Sequence, residues 1–256
     1  MGEKVMGKNI SWNQFKRSLF IVQKNIHIYY SKGPVIIFGL LMPFFLFLSF
    51  YIGRDMPIEA LIPGLLGMTA FFTATSTGPA IVPWEARAKT LERLISSPVS
   101  LRTIFLGDVI SSFLFGLLIS VFPVIASLLI GVEIVYPLIL VLGVVLSTFC
   151  FAAFSILLSA YPPTDNPSTI MMLSSMIKFP LVFISGIFIP LEQLPIWGRT
   201  VSSISPLTYF TDLARYAIQG KSYYPFEVNF LVLIAFTIAF LVLAIKIHEH
   251  TIQKRL

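Results

Sequence analysis

Cysteine occurs once in this 256-residue chain, histidine three times, and Asp, Glu, Lys and Arg together make up only 12% of it. Soluble domains usually carry about twice that charged fraction, so a water-exposed globular surface is excluded for most of the sequence. The scarcity of Cys and His removes the usual material of metal centres and nucleophilic catalysis. Cys150 lies inside an apolar run, where a lone thiol behaves as a small buried hydrophobe. A nucleotide-binding loop is also missing. Phosphates are cradled by glycines with converging N–H groups, followed by Lys and Ser or Thr. The nearest approach, Gly220-Lys221-Ser222, has Arg215 where the first glycine belongs. His248-Glu249-His250 would chelate a metal on an extended strand, but at a helix end beside Lys246 it reads as a solvated cap. The expectation is a non-catalytic chain that binds no metal and no cofactor of its own.

What is present is apolar bulk: 56% hydrophobic residues, 24 of the 256 being Phe. A helix needs about 20 mainly apolar residues to cross the hydrocarbon core, with every backbone polar group satisfied internally. Six stretches qualify, at 34–52, 58–82, 104–132, 134–161, 168–189 and 226–245. Thr69, Thr73, Thr75, Ser76 and Thr77 make the second the least apolar. The first lies too far in, behind too polar a segment, for a cleaved signal peptide. Six spans place 13 Lys and Arg residues on one side, in the N-terminal segment, the second loop and the tail, against Arg54, Arg199, Arg215 and Lys221 on the other. Basic residues mark the inner face, so both termini are expected in the cytoplasm of a multi-pass cell-membrane protein. The net charge of +6 clusters beside apolar runs, which favours lipid headgroups as partners over nucleic acid.

Three segments lie outside the spans. In residues 10–30, Trp12, Phe15, Leu19, Val22 and Ile26 recur at three- and four-residue spacing, with Asn13, Lys16, Arg17, Gln23 and Lys24 between them. The spacing predicts an amphipathic helix, opened by a Ser11/Gln14 capping box and suited to the headgroup layer or to a partner surface. Residues 84–100 carry Leu91, Leu94 and Ile95 on one helical face, and Pro98 ends the element. A short cytoplasmic helix or a solvated loop fits this pattern. Residues 187–224 are too apolar for a plain connection, and Pro190, Pro195 and Pro206 cut them into pieces too short to cross. Short helices that enter the outer leaflet and return are expected, with Trp197 and Tyr209 at the interface. Asp212 and Arg215 are spaced to pair on one face.

Two features sit inside the spans. Ala70, Ala74 and Gly78 form a small-residue ridge for close helix packing, and the neighbouring Thr73, Ser76 and Thr77 are candidates for a pathway wall. Lys178 lies about ten residues into the fifth span, roughly 15 Å deep, where a lysine costs on the order of 2.5 to 3.5 kcal/mol. No acidic residue stands at comparable depth, so it is expected either to face a hydrated cavity and attract an anion or to snorkel to the surface.

The order and spacing of these blocks resemble the permease subunits of ABC-2 type transporters, the type 2 ATP-binding-cassette exporters. The resemblance rests on the amphipathic start, on Glu85…Thr90-Leu91-Glu92…Leu94…Ser97-Pro98, and on Ser185-Gly186-Ile187-Phe188-Ile189-Pro190-Leu191…Leu194-Pro195…Pro206-Leu207-Thr208-Tyr209…Arg215. It covers nearly the whole chain as a single transmembrane domain, with one departure: the family often has Gly before Thr-Leu-Glu, where Lys89 stands here. The resemblance implies an all-α membrane protein with six transmembrane helices. It implies pairing with a second permease, identical or paralogous, around an export pathway for an amphipathic or lipid-like substrate. Separate nucleotide-binding ATPase subunits would hold ATP and Mg and dock on Glu85, Arg87, Leu91, Glu92, Leu94 and Pro98 and on the helix bearing Trp12, Phe15, Leu19 and Val22. Gly186, Pro190, Pro195, Pro206, Tyr209 and Arg215 would belong to the outer gate. An ion-coupled secondary transporter is the alternative, opposed by the near absence of Asp, Glu and His within the spans.

Overall fold

The computed structural model describes residues 12–52 and 57–252, all helix and connection with no strand among them. Helix α1 (Trp12–Asn25) passes through a π-helical turn at Ile26–Tyr30 to α2 (Gly33–Tyr51). Then come α3 (Ile62–Ala74), α4 (Gly78–Arg87), the short α5 (Thr90–Ser96), α6 (Leu101–Leu129), α7 (Pro137–Ala160) and α8 (Pro167–Ile184). A 3-10 turn at Leu191–Gln193 leads to α9 (Ile196–Ser202), α10 (Pro206–Gln219) and α11 (Phe226–Thr251). Proline sets many of the starts: α2, α3, α4, α7, α8 and α10 all carry it in the first or second position, where its missing N–H costs nothing. Ser100 and Asn166 cap α6 and α8, accepting from Thr103 N at 3.2 Å and Ser168 N at 3.1 Å. Ser11 of the expected capping box lies outside the described residues.

Among the described residues, five segments are long and apolar enough to cross a membrane: Ile62–Arg87, Leu101–Leu129, Pro137–Ala160, Pro167–Ile184 and Phe226–Thr251. The pair Gln14–Tyr30 and Val35–Leu46, bent by 87°, makes a sixth if it is taken as one broken span. The second span departs most from its sequence reading. It continues to Arg87 and is broken at 75–77, so Trp84 to Arg87 extend the span and only α5 is a separate helix in the 84–100 element. Its hydroxyls are tolerated because 89% of its most apolar window is buried by protein, against 22% for α11. The fifth span stops at Ile184 instead of 189, where Ser185 closes the helix and Gly186 turns the chain with a φ of 72°.

Helix α7 is central, packing against α6, α11, α10 and α4. The bundle has two poles. At one, α4 ends, α6 begins and α7 and α11 end, with α1 and α5 laid across them. At the other, α10 is inserted between α3, α7 and α11. The small ridge packs as spaced: Ala74 meets Gly116 of α6, and Gly78 abuts Ser112 and Ser155 with no room for a Cβ.

Candidate functional site

At the first pole, α1 is pinned to the 84–100 element and to the start of α6 by side chains 61 to 89 residues apart in sequence. Gln14 donates to Pro98 O at 3.4 Å and accepts from Ser100 N at 3.3 Å and Thr103 Oγ1 at 3.0 Å. Arg17 also donates to Pro98 O, and Lys24 forms an ion pair with the buried Glu85. Tyr29 stacks on Trp84 with ring centroids 5.3 Å apart. Deeper in, Asn25 donates to Asp108 Oδ1 at 2.6 Å and to Ser111 Oγ at 3.1 Å, and the Tyr30 and Ser112 hydroxyls are 2.7 Å apart. Gly107 admits this approach: a Cβ there would sit 2.7 Å from Ile21 and 3.0 Å from Ser18 O.

This buried polar face reverses part of the expected amphipathicity. Trp12, Phe15 and Leu19 are exposed, with Phe20 beside them, whereas Val22 turns inward with Ile21, Gln14, Ser18 and Asn25. Within the 84–100 element Glu85 and Leu91 are buried and Leu94 is half-buried, while Arg87, Glu92 and Pro98 are exposed. The element therefore rests on an apolar foot and presents charge outward. Lys89 joins α4 to α5 with φ 56° and ψ 21°, the left-handed conformation that glycine adopts without strain. A lysine there leaves the turn intact at a cost of about 1 kcal/mol. Lys89→Gly is expected to raise the melting temperature of the purified chain by a few degrees, read by thermal denaturation in detergent; no rise would place the strain elsewhere.

The same pole holds the end of α11. Arg102 pairs with Glu249 at 3.0 Å, and Thr251 donates to Ala160 O at 3.3 Å. His248 is buried, 3.0 Å from Ser159 Oγ and stacked at 4.2 Å on Phe105. It is thus a packing residue, not the solvated cap expected of it. The helix that carries Trp12 and the one that ends at Thr251 both pack on α6 at one end of the bundle.

Midway along, Lys178 is buried and donates to Thr75 O at 3.1 Å. The break in the second span frees that carbonyl from its helical partner, and the lysine takes it up. Thr73 and Ser76 bond back to their own helix, at Thr69 O (2.6 Å) and Thr73 O (2.8 Å), and Thr77 Oγ1 lies 3.4 Å from Ser76 Oγ.

At the opposite pole, Asp212 and Arg215 do not form an ion pair. Asp212 accepts from Tyr223 N and Tyr224 N at 2.9 Å each and from Asn229 Nδ2 at 3.0 Å, because its carboxylate faces the returning chain. Arg215 donates to Gly186 O at 3.2 Å. Burial pushes its guanidinium below the ordinary arginine value, opposed by the nearby Asp212 and Glu192 carboxylates. Tyr209 donates to Ser203 O at 3.1 Å, and Gly186, Pro206, Tyr209 and Arg215 are buried together around α10. Pro195 and Trp197 are exposed on α9 and its approach, beside an apolar groove of about 260 Å³. Gly220 ends α10 with φ 71°, and Ser222 donates to Tyr224 O at 2.7 Å, so Gly220-Lys221-Ser222 is a helix-closing turn.

Sequence reasoning did not single out Asn25 or Asp108, and it marked Gln14 only as half of a capping box. Asp108 carried a signal, as a carboxylate inside an otherwise apolar stretch; Gln14 and Asn25 became informative only once their distant partners were known.

Residues 19–218 match the family described as ABC-2 type transporter. Among curated proteins, the chain is 24% identical to the Inner membrane transport permease YadH of Escherichia coli (strain K12) over 184 residues, covering 72% of this chain and 71% of that protein. It is 25% identical to a second protein of the same strain, named Probable multidrug ABC transporter permease YbhR, over 160 residues, 60% of this chain and 42% of that one.

Proposed function

The chain belongs to the ABC-2 type transporter family, and from that premise we propose that it is the membrane-spanning half of an ATP-driven exporter, taking its energy from separate ATPase subunits. That it is a multi-pass membrane transport permease follows from the family and from its apolar helices. The observation that carries the finer reading is the pinned pole. A docking surface that transmits force must not yield locally, and Gln14, Arg17 and Lys24 tie α1 to Pro98 and Glu85. Arg87, Glu92 and Pro98 then project from a braced element toward the ATPase.

The pole that gathers α1, α5 and the end of α11 is the cytoplasmic one, where most Lys and Arg lie and where ATP is available. Trp12, Phe15, Leu19 and Phe20 rest in the inner headgroup layer. Buried α10 and exposed α9 form the outer closure with Gly186, Pro190, Pro195, Pro206, Tyr209 and Arg215. A second permease completes the pathway for an amphipathic or lipid-like substrate. One relative is named a probable multidrug ABC transporter permease, a name compatible with amphipathic substrates.

Affinity capture of the tagged chain from its native membrane tests the reading. A nucleotide-binding subunit is expected to come with it, and the paired substitution Arg87→Ala with Glu92→Ala is expected to weaken retention about tenfold, or about 1.4 kcal/mol. Both residues are exposed, so the fold is spared. Capture without any ATPase would sink the proposal.

A further inference from the structure

Beside the break in the second span lies a cavity of about 220 Å³, lined by Lys178, Ser76 and Ser175 and by apolar Met42, Phe72 and Phe179. Lys178 is only 5% exposed there. An ammonium offers three donors, and among the described residues one is used, by the neutral Thr75 carbonyl, with no carboxylate within ion-pair distance. A buried cation is tolerated when it is paired. Ser76 and Ser175 direct their hydroxyl hydrogens to Thr73 O and Met171 O of their own helices, so Lys178 is the donor left to meet a guest. A guest that completes it must bring negative charge, and the rest of the lining favours an apolar body behind that charge.

We propose that this cavity recognises the anionic head of an amphiphile, a phosphate or carboxylate held by Lys178, with its apolar part against Met42, Phe72 and Phe179. That such an amphiphile is also transported rests on the reading above. Binding itself is a property of this chain.

The test uses the intact chain in dodecyl maltoside, titrated with dodecyl phosphate while its melting temperature is followed. A saturable rise is expected in the unchanged protein. Lys178→Met is expected to weaken the apparent affinity at least about tenfold, and Lys178→Arg to keep it within a few fold. A lysine that merely closed the helix break would shift the melting temperature of the empty protein and leave its response to dodecyl phosphate intact. That result overturns the proposal, as does the absence of any rise in the unchanged chain. Should Lys178→Met give too little folded protein, Ser175→Leu fills the cavity while leaving the Lys178–Thr75 bond in place, and the same loss is expected. Nanodiscs of phosphatidylcholine with and without phosphatidylglycerol separate the sources. Lys178-dependent stabilisation by phosphatidylglycerol assigns the site to bilayer lipid, and its absence alongside a response to dodecyl phosphate assigns it to a free amphiphile. Loss of ATPase capture would remove the ATP-driven exporter reading while leaving these shifts unchanged.

Discussion

In Glu85→Lys, ATP hydrolysis by the assembled complex is expected to fall at least about tenfold, with the chain still inserted in the membrane. The Glu85 side chain is 2% exposed and that of Lys24 27%. Breaking a fully buried pair costs about 3 to 5 kcal/mol; the partial exposure of Lys24 reduces this to about 2 kcal/mol. Reversal adds repulsion between two cations and pries α1 from the end of α4, where Tyr29 stacks on Trp84. The controlling experiment is the double exchange, Glu85→Lys with Lys24→Glu. Partial recovery of ATPase activity locates the defect in this intrachain pair, while a double variant as poor as the single one would assign Glu85 to a contact with the partner instead.

Asp212→Ala is expected to cost the most stability, about 3 to 6 kcal/mol: three donors lose their acceptor at once, an orphaned buried group costs about 1 to 3 kcal/mol, and the two part-buried amides fall in the lower half of that range. Tyr223 N, Tyr224 N and Asn229 Nδ2 all point at one carboxylate that is 1% exposed. Asp212→Asn keeps one acceptor oxygen but turns an amide NH2 toward the other donors, and its loss should be intermediate. Thermal denaturation of the purified chain, together with proteolysis of the turn before α11, checks both. A melting curve unchanged in Asp212→Ala would show that the returning chain is held by packing alone.

How much of this was legible in the sequence varies by region. Hydropathy located the spans because a membrane helix satisfies its backbone locally, so length and apolarity suffice. It marked the second span as the least apolar, which it is, and misplaced its end. Burial within protein lets Thr73, Thr75 and Ser76 return their hydroxyls to the helix, and a break at 75–77 lets the same span run on to Arg87. Periodicity found α1 but placed Val22 with the outward aromatics, since moment arguments rank faces by apolarity, and the inward face here is polar and paired. Local spacing suggested Asp212 with Arg215, but both were taken by backbone groups from other elements. Lys178 was marked as needing a partner. That its nearest one is a main-chain carbonyl could not be read without the break that frees it.

That break has a mechanical consequence. Helix α3 is wedged by α6 and α10, whereas α4 leads directly into the braced element that carries Arg87 and Glu92. Ten residues of α4 make an arm of about 15 Å, so a 10° tilt about the 75–77 joint displaces its far end by about 2.6 Å. A push delivered at the pole of α1 and α5 would thereby reach α3 as rotation of α4 between α7 and α8, with Lys178, bonded to Thr75 O, at the fulcrum.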